Sequence, residues 1–304
     1  MELQNRRILV LSHAGHDASR DAVIEVCRQL TAASVQPVLR DGELDDSLVV
    51  APDLSSVVLL DRDVALDTIE SAVVLGGDGT ILRAAELVRG SSVPLIGVNL
   101  GHVGFLAESE KNGLTDAIER VIAQEYDVEE RFTLSVRVKI GDQVAFETWA
   151  INEATVEKAS RSRILEVVVE VDRRPLSSFS CDGVVMATPT GSTAYAFSAG
   201  GPIVWPSVEA MVFVPISAHA LFARPLVVGP DSVMAVELVD RADASGILWC
   251  DGRRSFDLPA GARVVVKRSP VSVRLASLRT STFTDRLVSK FDLPVDGWRG
   301  PGRS

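Results

Sequence analysis

Along the first third of the chain, short apolar runs alternate with stretches of helical spacing. Ile8-Leu9-Val10-Leu11 has the length and composition of a buried strand, and Ala22, Val23, Val26 and Leu30 then fall on one helical face. A second strand is expected over Val35 to Leu39. Residues 41–53, acidic and polar with Pro52 near their end, read as a surface loop. The apolar segments Val57 to Leu60 and Ser71 to Leu75 follow, and Ile81, Leu82, Ala85 and Val88 continue the second with a helical pattern. Pro94 to Asn99 is a further strand, and Leu114, Ala117, Ile118, Val121 and Ile122 form another helical stripe. Strands alternating with helices predict a Rossmann-like, mostly parallel α/β domain over residues 1–128, with ligands at the carboxyl ends of its strands.

Near residue 130 the period changes. Leu134, Val136, Val138 and Ile140 alternate with Ser135, Arg137 and Lys139 before the turn Gly141-Asp142. Further strands are expected over Leu165 to Val171, Val184 to Ala187, Met211 to Pro215, Val233 to Leu238, Ile247 to Cys250 and Val264 to Lys267, without long helical patterns. Residues 129–275 therefore read as a β-rich, sandwich-like domain. In the tail, residues 276–304, Phe283, Leu287, Val288 and Phe291 mark a short amphipathic helix expected to return to the first domain.

Composition narrows the function classes. A chain of 304 residues, 46% hydrophobic, exceeds one compact core and is not disordered. No apolar run reaches membrane-spanning length, and the start lacks a signal-peptide pattern. Three scattered cysteines, Cys27, Cys181 and Cys250, suggest neither a disulfide framework nor a zinc site, so a cytoplasmic setting is expected. A net charge of −10 argues against nucleic acid and anionic membranes as partners, while leaving room for a local basic groove.

The chemistry-bearing residues concentrate in a few turns. Gly76-Gly77-Asp78-Gly79-Thr80 sets one carboxylate among glycines between a strand and a helix. Backbone N–H groups there can hold phosphate, beside which a carboxylate would accept a proton or orient a hydroxyl. The same residues also suit a plain turn with Asp78 as helix N-cap. Asn99-Leu100-Gly101-His102-Val103-Gly104 is a second glycine-bearing loop after a strand. Thr188-Pro189-Thr190-Gly191-Ser192-Thr193-Ala194-Tyr195 carries four Ser/Thr hydroxyls, a glycine and a ring able to stack on a base; a hydroxyl-rich helix cap is the alternative. Asn152-Glu153 follows apolar Ala150-Ile151 and can bind vicinal ribose hydroxyls or be an ordinary strand end. Cys181-Asp182-Gly183 and Cys250-Asp251-Gly252 each read most simply as turns. His13 and His16 lack a third metal ligand nearby, so no metal site is expected there. Leu82 replaces the third glycine of a dinucleotide fingerprint, no Walker sequence occurs, and Ser198 lacks the partners of a serine hydrolase.

In order and together, Gly76 to Thr80, Asn99 to Leu106, Asn152-Glu153, Asp182-Gly183 and Thr188 to Tyr195 resemble the NAD kinases, from about residue 70 to 255. Lipid kinases and phosphofructokinases share the Gly-Gly-Asp-Gly turn; the Thr-Pro-Thr-Gly-Ser-Thr-Ala-Tyr run with Asn-Glu upstream narrows the resemblance. The segment from Phe283 to Gly300 is similar to actinobacterial members. The resemblance implies transfer of the terminal phosphoryl group of ATP, or of polyphosphate, to the 2′-hydroxyl of the adenosine ribose of NAD. It implies Asp78 as the catalytic residue, with Gly77 and Gly79 beside the phosphates. Asn152 and Glu153 would bind the ribose and adenine side, and Asp182 the nicotinamide portion or a neighbouring group. Thr190, Thr193, Ala194, Tyr195, Ala196, Phe197 and Ser198 would line the adenine pocket. Arg83, one turn into the helix, can face pyrophosphate or solvent; Arg163, Ser180 and Arg253 match further contact positions. The resemblance also implies Mg²⁺ with ATP, without dedicated protein ligands, and a homodimer or homotetramer. The rival readings are a lipid kinase and a dinucleotide-binding regulator without turnover.

Overall fold

The computed structural model describes residues 6–12, 17–41, 56–99, 104–106, 113–161, 163–220, 223–239, 245–278 and 282–295. His13 and His16, nearly all of the expected acidic loop, residues 100–103 of the second glycine loop and the end of the tail lie outside them. In chain order the first elements are β1 (Arg7–Ser12), α1 (Asp17–Ala32), β2 (Gln36–Leu39), β3 (Val58–Leu59), β4 (Ser71–Leu75), α2 (Asp78–Val88), β5 (Leu95–Val98), α3 (Leu114–Ala123) and β6 (Asp127–Arg131). Then come β7 (Leu134–Ile140), β8 (Gln143–Ala150), β9 (Glu153–Lys158), β10 (Leu165–Val171), β11 (Arg174–Cys181), β12 (Gly183–Ala187), the one-turn helix α4 (Tyr195–Ser198) and β13 (Met211–Ile216). The chain closes with β14 (Leu226–Val228), β15 (Met234–Leu238), β16 (Gly246–Cys250), β17 (Arg254–Leu258), β18 (Ala262–Arg268), β19 (Val273–Ser277) and α5 (Phe283–Phe291).

Two compact units result, one of residues 1–130 with 273–304 and one of residues 131–272. The first is built on a seven-stranded sheet ordered β3-β2-β1-β4-β5-β19-β6. Strands β1 to β5 run parallel, and β19 joins β5 in parallel through Leu275 and Leu95. Every residue of β4 is buried, as a parallel strand covered on both faces requires. The strand order reverses direction at the β1–β4 pair, the switch point at which open α/β sheets bind their ligands.

The second unit holds two six-stranded antiparallel sheets, β11-β10-β15-β18-β7-β8 and β14-β13-β12-β9-β16-β17. Their inner residues share one core. Val136, Val138, Val167, Val236 and Val264 come from one sheet, and Val156, Val184, Met186, Phe213 and Leu248 from the other. The expected sandwich is observed. Strand β9 lies between β12 and β16, with Glu153 opposite Ala187 and Ala154 opposite Cys250. The loops that leave β12 and β16 therefore flank the start of β9, and this register brings distant motifs together.

Candidate functional site

The first unit carries the glycine-rich turn. Strand β4 ends at Leu75, Gly77 is the N-cap of α2 with extended φ, and Asp78 is the first helical residue. The alternative of Asp78 as N-cap does not hold. Its carboxylate instead crosses to the loop after β5, where Oδ2 accepts from the Phe105 N–H at 3.1 Å and Oδ1 from the Leu106 N–H at 3.0 Å. A Cβ at Gly104 would run into Asp78 Oδ1, so only glycine permits this approach. Two turns that the sequence separates by more than twenty residues thus meet on one carboxylate.

Helix α5 backs that loop from the far end of the chain. Its N-terminus is a capping box: Thr282 accepts from the Asp285 N–H, and Asp285 accepts from the Thr282 N–H. The Phe105 ring lies 6.0 Å from Phe283 and 5.7 Å from Phe291, centroid to centroid, and the Phe105 carbonyl accepts from Arg286 Nη1 at 3.0 Å. Arg83, with Ser12, Arg40 and Thr80, lines a crevice at the β1–β4 switch point. Arg40 was not anticipated; it follows a strand with no motif around it.

The second unit gathers Asn152, Glu153 and the hydroxyl-rich loop. Glu153 starts β9 instead of ending a strand, and both residues are buried. The loop after β12 locks onto them: Thr188 Oγ1 donates to the Ile151 carbonyl at 2.6 Å and the Thr188 N–H to the Asn152 carbonyl at 2.9 Å. A Cβ at Gly191 would strike the Asn152 carbonyl oxygen, so this glycine too is required by close approach. Ser192 Oγ donates to the Pro189 carbonyl and accepts from the Val204 N–H. Its neighbour Thr193 donates to the Thr190 carbonyl. The hydroxyls that the sequence offers to a ligand therefore largely hold the loop's own shape. Ala194 precedes α4, in which Ala196 is buried while Tyr195, Phe197 and Ser198 are exposed.

Glu153 is the electrostatic outlier. Burial, the nearby Asp251 carboxylate and Glu157 push its carboxyl up to about 8 against the help of the Tyr195 backbone N–H. Its Oε2 is buried with no hydrogen-bond partner. A buried oxygen without a partner is uncommon in a folded protein and has the capacity to accept one further hydrogen bond.

Asp251, read from sequence as a turn, accepts from the N–H groups of Ile151, Asn152 and Glu153 and from Arg254. Asp182 stands between β11 and β12; its ion pair with Lys158 holds it below the usual carboxylate range. Ser180 bridges to His219 at the end of β11. Arg163 and Arg253 lie on exposed turns. Gly77, Asp78, Gly79 and Arg83 belong to the first unit, and the other candidates to the second.

The N-terminal domain model of the ATP-NAD kinases matches residues 8–126, and the C-terminal domain model matches residues 151–278. An NAD kinase of Leifsonia xyli is 64% identical over 296 residues, covering 97% of each chain. One of Thermobifida fusca is 53% identical over 305 residues, covering 98% of this chain and 93% of its own. Among solved structures, yeast NADH kinase complexed with NADH superposes with a TM-score of 0.83 at 21% identity, covering 96% of this chain and 88% of its own. An NAD kinase from Archaeoglobus fulgidus in complex with ATP does so with a TM-score of 0.66 at 24% identity, covering 90% and 94%. Those two likenesses bear on the fold.

Proposed function

The chain belongs to the NAD kinase family and is an ATP-dependent phosphotransferase that converts NAD to NADP; from that premise we propose how its residues divide the work. The observation that carries the proposal is the Asp78 carboxylate held by two backbone N–H groups at the end of β4. Phosphoryl transfer asks the protein mainly to position reactants and stabilise charge. Asp78 orients the 2′-hydroxyl of the adenosine ribose. The hydroxyl oxygen attacks the γ-phosphorus, the bond from that phosphorus to the β–γ bridging oxygen breaks, ADP leaves with the electron pair, and the hydroxyl proton passes to Asp78. Each carboxylate oxygen keeps a second lone pair beyond the N–H it accepts, so the tether and the proton do not compete.

Gly77 and Gly79 leave the backbone open to phosphate, and Arg83 faces the pyrophosphate. Asn152 and Glu153 bind the ribose and adenine side, with the unpaired Glu153 Oε2 as the docking atom. Thr190 and the segment from Thr193 to Ser198 line the adenine, and Asp182 meets the nicotinamide portion after exchanging Lys158 for ligand. Ser180, Arg163 and Arg253 make outer contacts. Mg²⁺ would be held mainly by the phosphates of ATP and by water. Such an ion needs at most one or two protein carboxylates beside the phosphates and water. The ion would supply charge neutralisation on the phosphates. A homodimer or homotetramer is the assembly that family membership suggests. A cytoplasmic setting is supported by three buried free thiols; no described helix is long and apolar enough to cross a membrane.

A coupled assay for NADP formation from NAD and ATP tests the proposal, run on the natural chain and on Asp78→Asn. Turnover that depends on Asp78 is expected. Near-normal activity in the variant, phosphorylation of lipid alone, or tight NAD binding without product would each reject it.

A further inference from the structure

Asn152 and Glu153 can meet a ligand in one geometry only if their backbone is fixed before the ligand arrives. The structure accounts for every backbone polar group from Ile151 to Glu153. The carbonyls of Ile151 and Asn152 are taken by Thr188, and that of Glu153 accepts from the Asp251 N–H at 3.0 Å. All three N–H groups converge on one side chain. Asp251 Oδ1 accepts from Asn152 at 2.7 Å, from Ile151 at 3.1 Å and from Glu153 at 3.4 Å, while Oδ2 accepts from Ile151 at 3.1 Å. Arg254 Nη2 donates to Oδ2 at 2.6 Å, and its guanidinium lies 4.3 Å over the Trp149 ring.

A turn alone does not call for this arrangement. Asp251 has φ +55°, a conformation glycine adopts more cheaply, and its side chain is only 2% exposed. A strained backbone and a buried charge are both tolerated at one residue, which is the pattern of a group held for function. We propose that Asp251, braced by Arg254, is a positioning residue for the dinucleotide: it fixes the Ile151–Glu153 backbone so that the Asn152 and Glu153 side chains meet the adenosine half, without itself touching substrate. This rests on the reading of Asn152 and Glu153 given above.

The charges around the pair agree with it. Asp251 is surrounded by donors, the three N–H groups and Arg254. Glu153 faces Asp251 and Glu157, with the Tyr195 N–H as its donor and the Cys250 thiol and Arg254 close to the same cluster. Burial pushes both carboxyls up, but three backbone N–H groups and Arg254 oppose the rise at Asp251, whereas Glu153, beside Asp251 and Glu157, reaches about 8. Removing the charge of Asp251 should therefore move proton loss from Glu153 to lower pH.

The test is Asp251→Asn, which keeps the volume but replaces one acceptor by an NH₂ group facing donors. The KM for NAD is expected to rise at least about tenfold, while the KM for ATP and the kcat at saturating NAD change less than about threefold. The alkaline limb of kcat/KM for NAD should move to lower pH. Equal changes for both substrates, or an unchanged KM for NAD, would overturn the proposal. Should Asp251→Asn fail to fold, Arg254→Gln leaves the backbone donors in place, and a rise in the NAD KM alone is again expected; no rise overturns it. Asn152→Ala in the same assay separates the two levels. If it leaves the NAD KM unchanged, the reading of the Asn152–Glu153 pair falls and this inference with it. If it raises that KM and Asp251→Asn does not, only this inference falls.

Discussion

Replacing Glu153 by glutamine should change how the free protein's stability depends on pH. In the fold the Glu153 carboxyl is carried from its ordinary 4.5 to about 8, chiefly by burial and then by Asp251. A carboxyl that holds its proton more tightly folded than unfolded contributes stability that is complete below the unfolded value and is lost as pH rises through the folded one. At about 1.4 kcal/mol per tenfold in proton affinity, the whole displacement corresponds to a ceiling of about 5 kcal/mol. Between roughly pH 5 and pH 8 the natural chain should lose about 3 kcal/mol relative to Glu153→Gln, which has no proton to lose at this position. For a unit of this size that is a relative shift of about 6–12 °C in melting temperature. Thermal melts of both proteins, without nucleotide, across that pH range supply the measurement. Carboxylates remote from Glu153 titrate alike in both proteins, so the difference between the two curves reads Glu153 together with the Asp251 carboxyl coupled to it. Parallel curves would show that this carboxyl ionises as an ordinary one and would remove the electrostatic part of the reasoning.

Three further outcomes follow from the same geometry. Asp78→Asn should lower kcat by about 10²–10⁴-fold in the NADP-forming assay, the range for loss of a positioned proton acceptor, with the fold intact. Gly104→Ala should lower activity while leaving the fold intact, because the added methyl displaces the Asp78 carboxylate; full activity would mean that the tether is dispensable. Gly191→Ala drives a methyl into the Asn152 carbonyl, and a loss of about 2 kcal/mol or more is expected in a denaturant titration, with a weakened NAD KM in whatever protein remains folded.

Much of this architecture was legible from local pattern, and the exceptions have physical causes. Strand β4 announced itself because a parallel strand covered on both faces is uniformly apolar, and the helical stripe from Leu114 to Ile122 because one face of α3 is buried. Strand β6, Asp127–Arg131, carries no such signal: it is a polar strand at a sheet edge, four of its five residues exposed. Strand β19 pairs with β5 through Leu275 and Leu95, far apart in the sequence, and nothing in its own residues points to that partner. The site divides in the same way. Asp78 stood out because glycines at a strand-to-helix turn are locally conspicuous. Its N–H donors at Phe105 and Leu106, and the tether from Asp251 to residues about a hundred positions earlier, depend on long-range approach that no spacing rule contains.

The return of the C-terminus to the first unit sets an order of events during synthesis. The α/β sheet lacks β19 until residue 277 has emerged, and the Phe105 loop lacks its Arg286 and Phe291 partners until α5 follows. A growing chain can thus complete its sandwich while the turn around Asp78 still lacks its outer support. The loop that tethers Asp78 is thus buttressed by side chains about 180 positions later in the sequence, which join it only after the sandwich strands have been made.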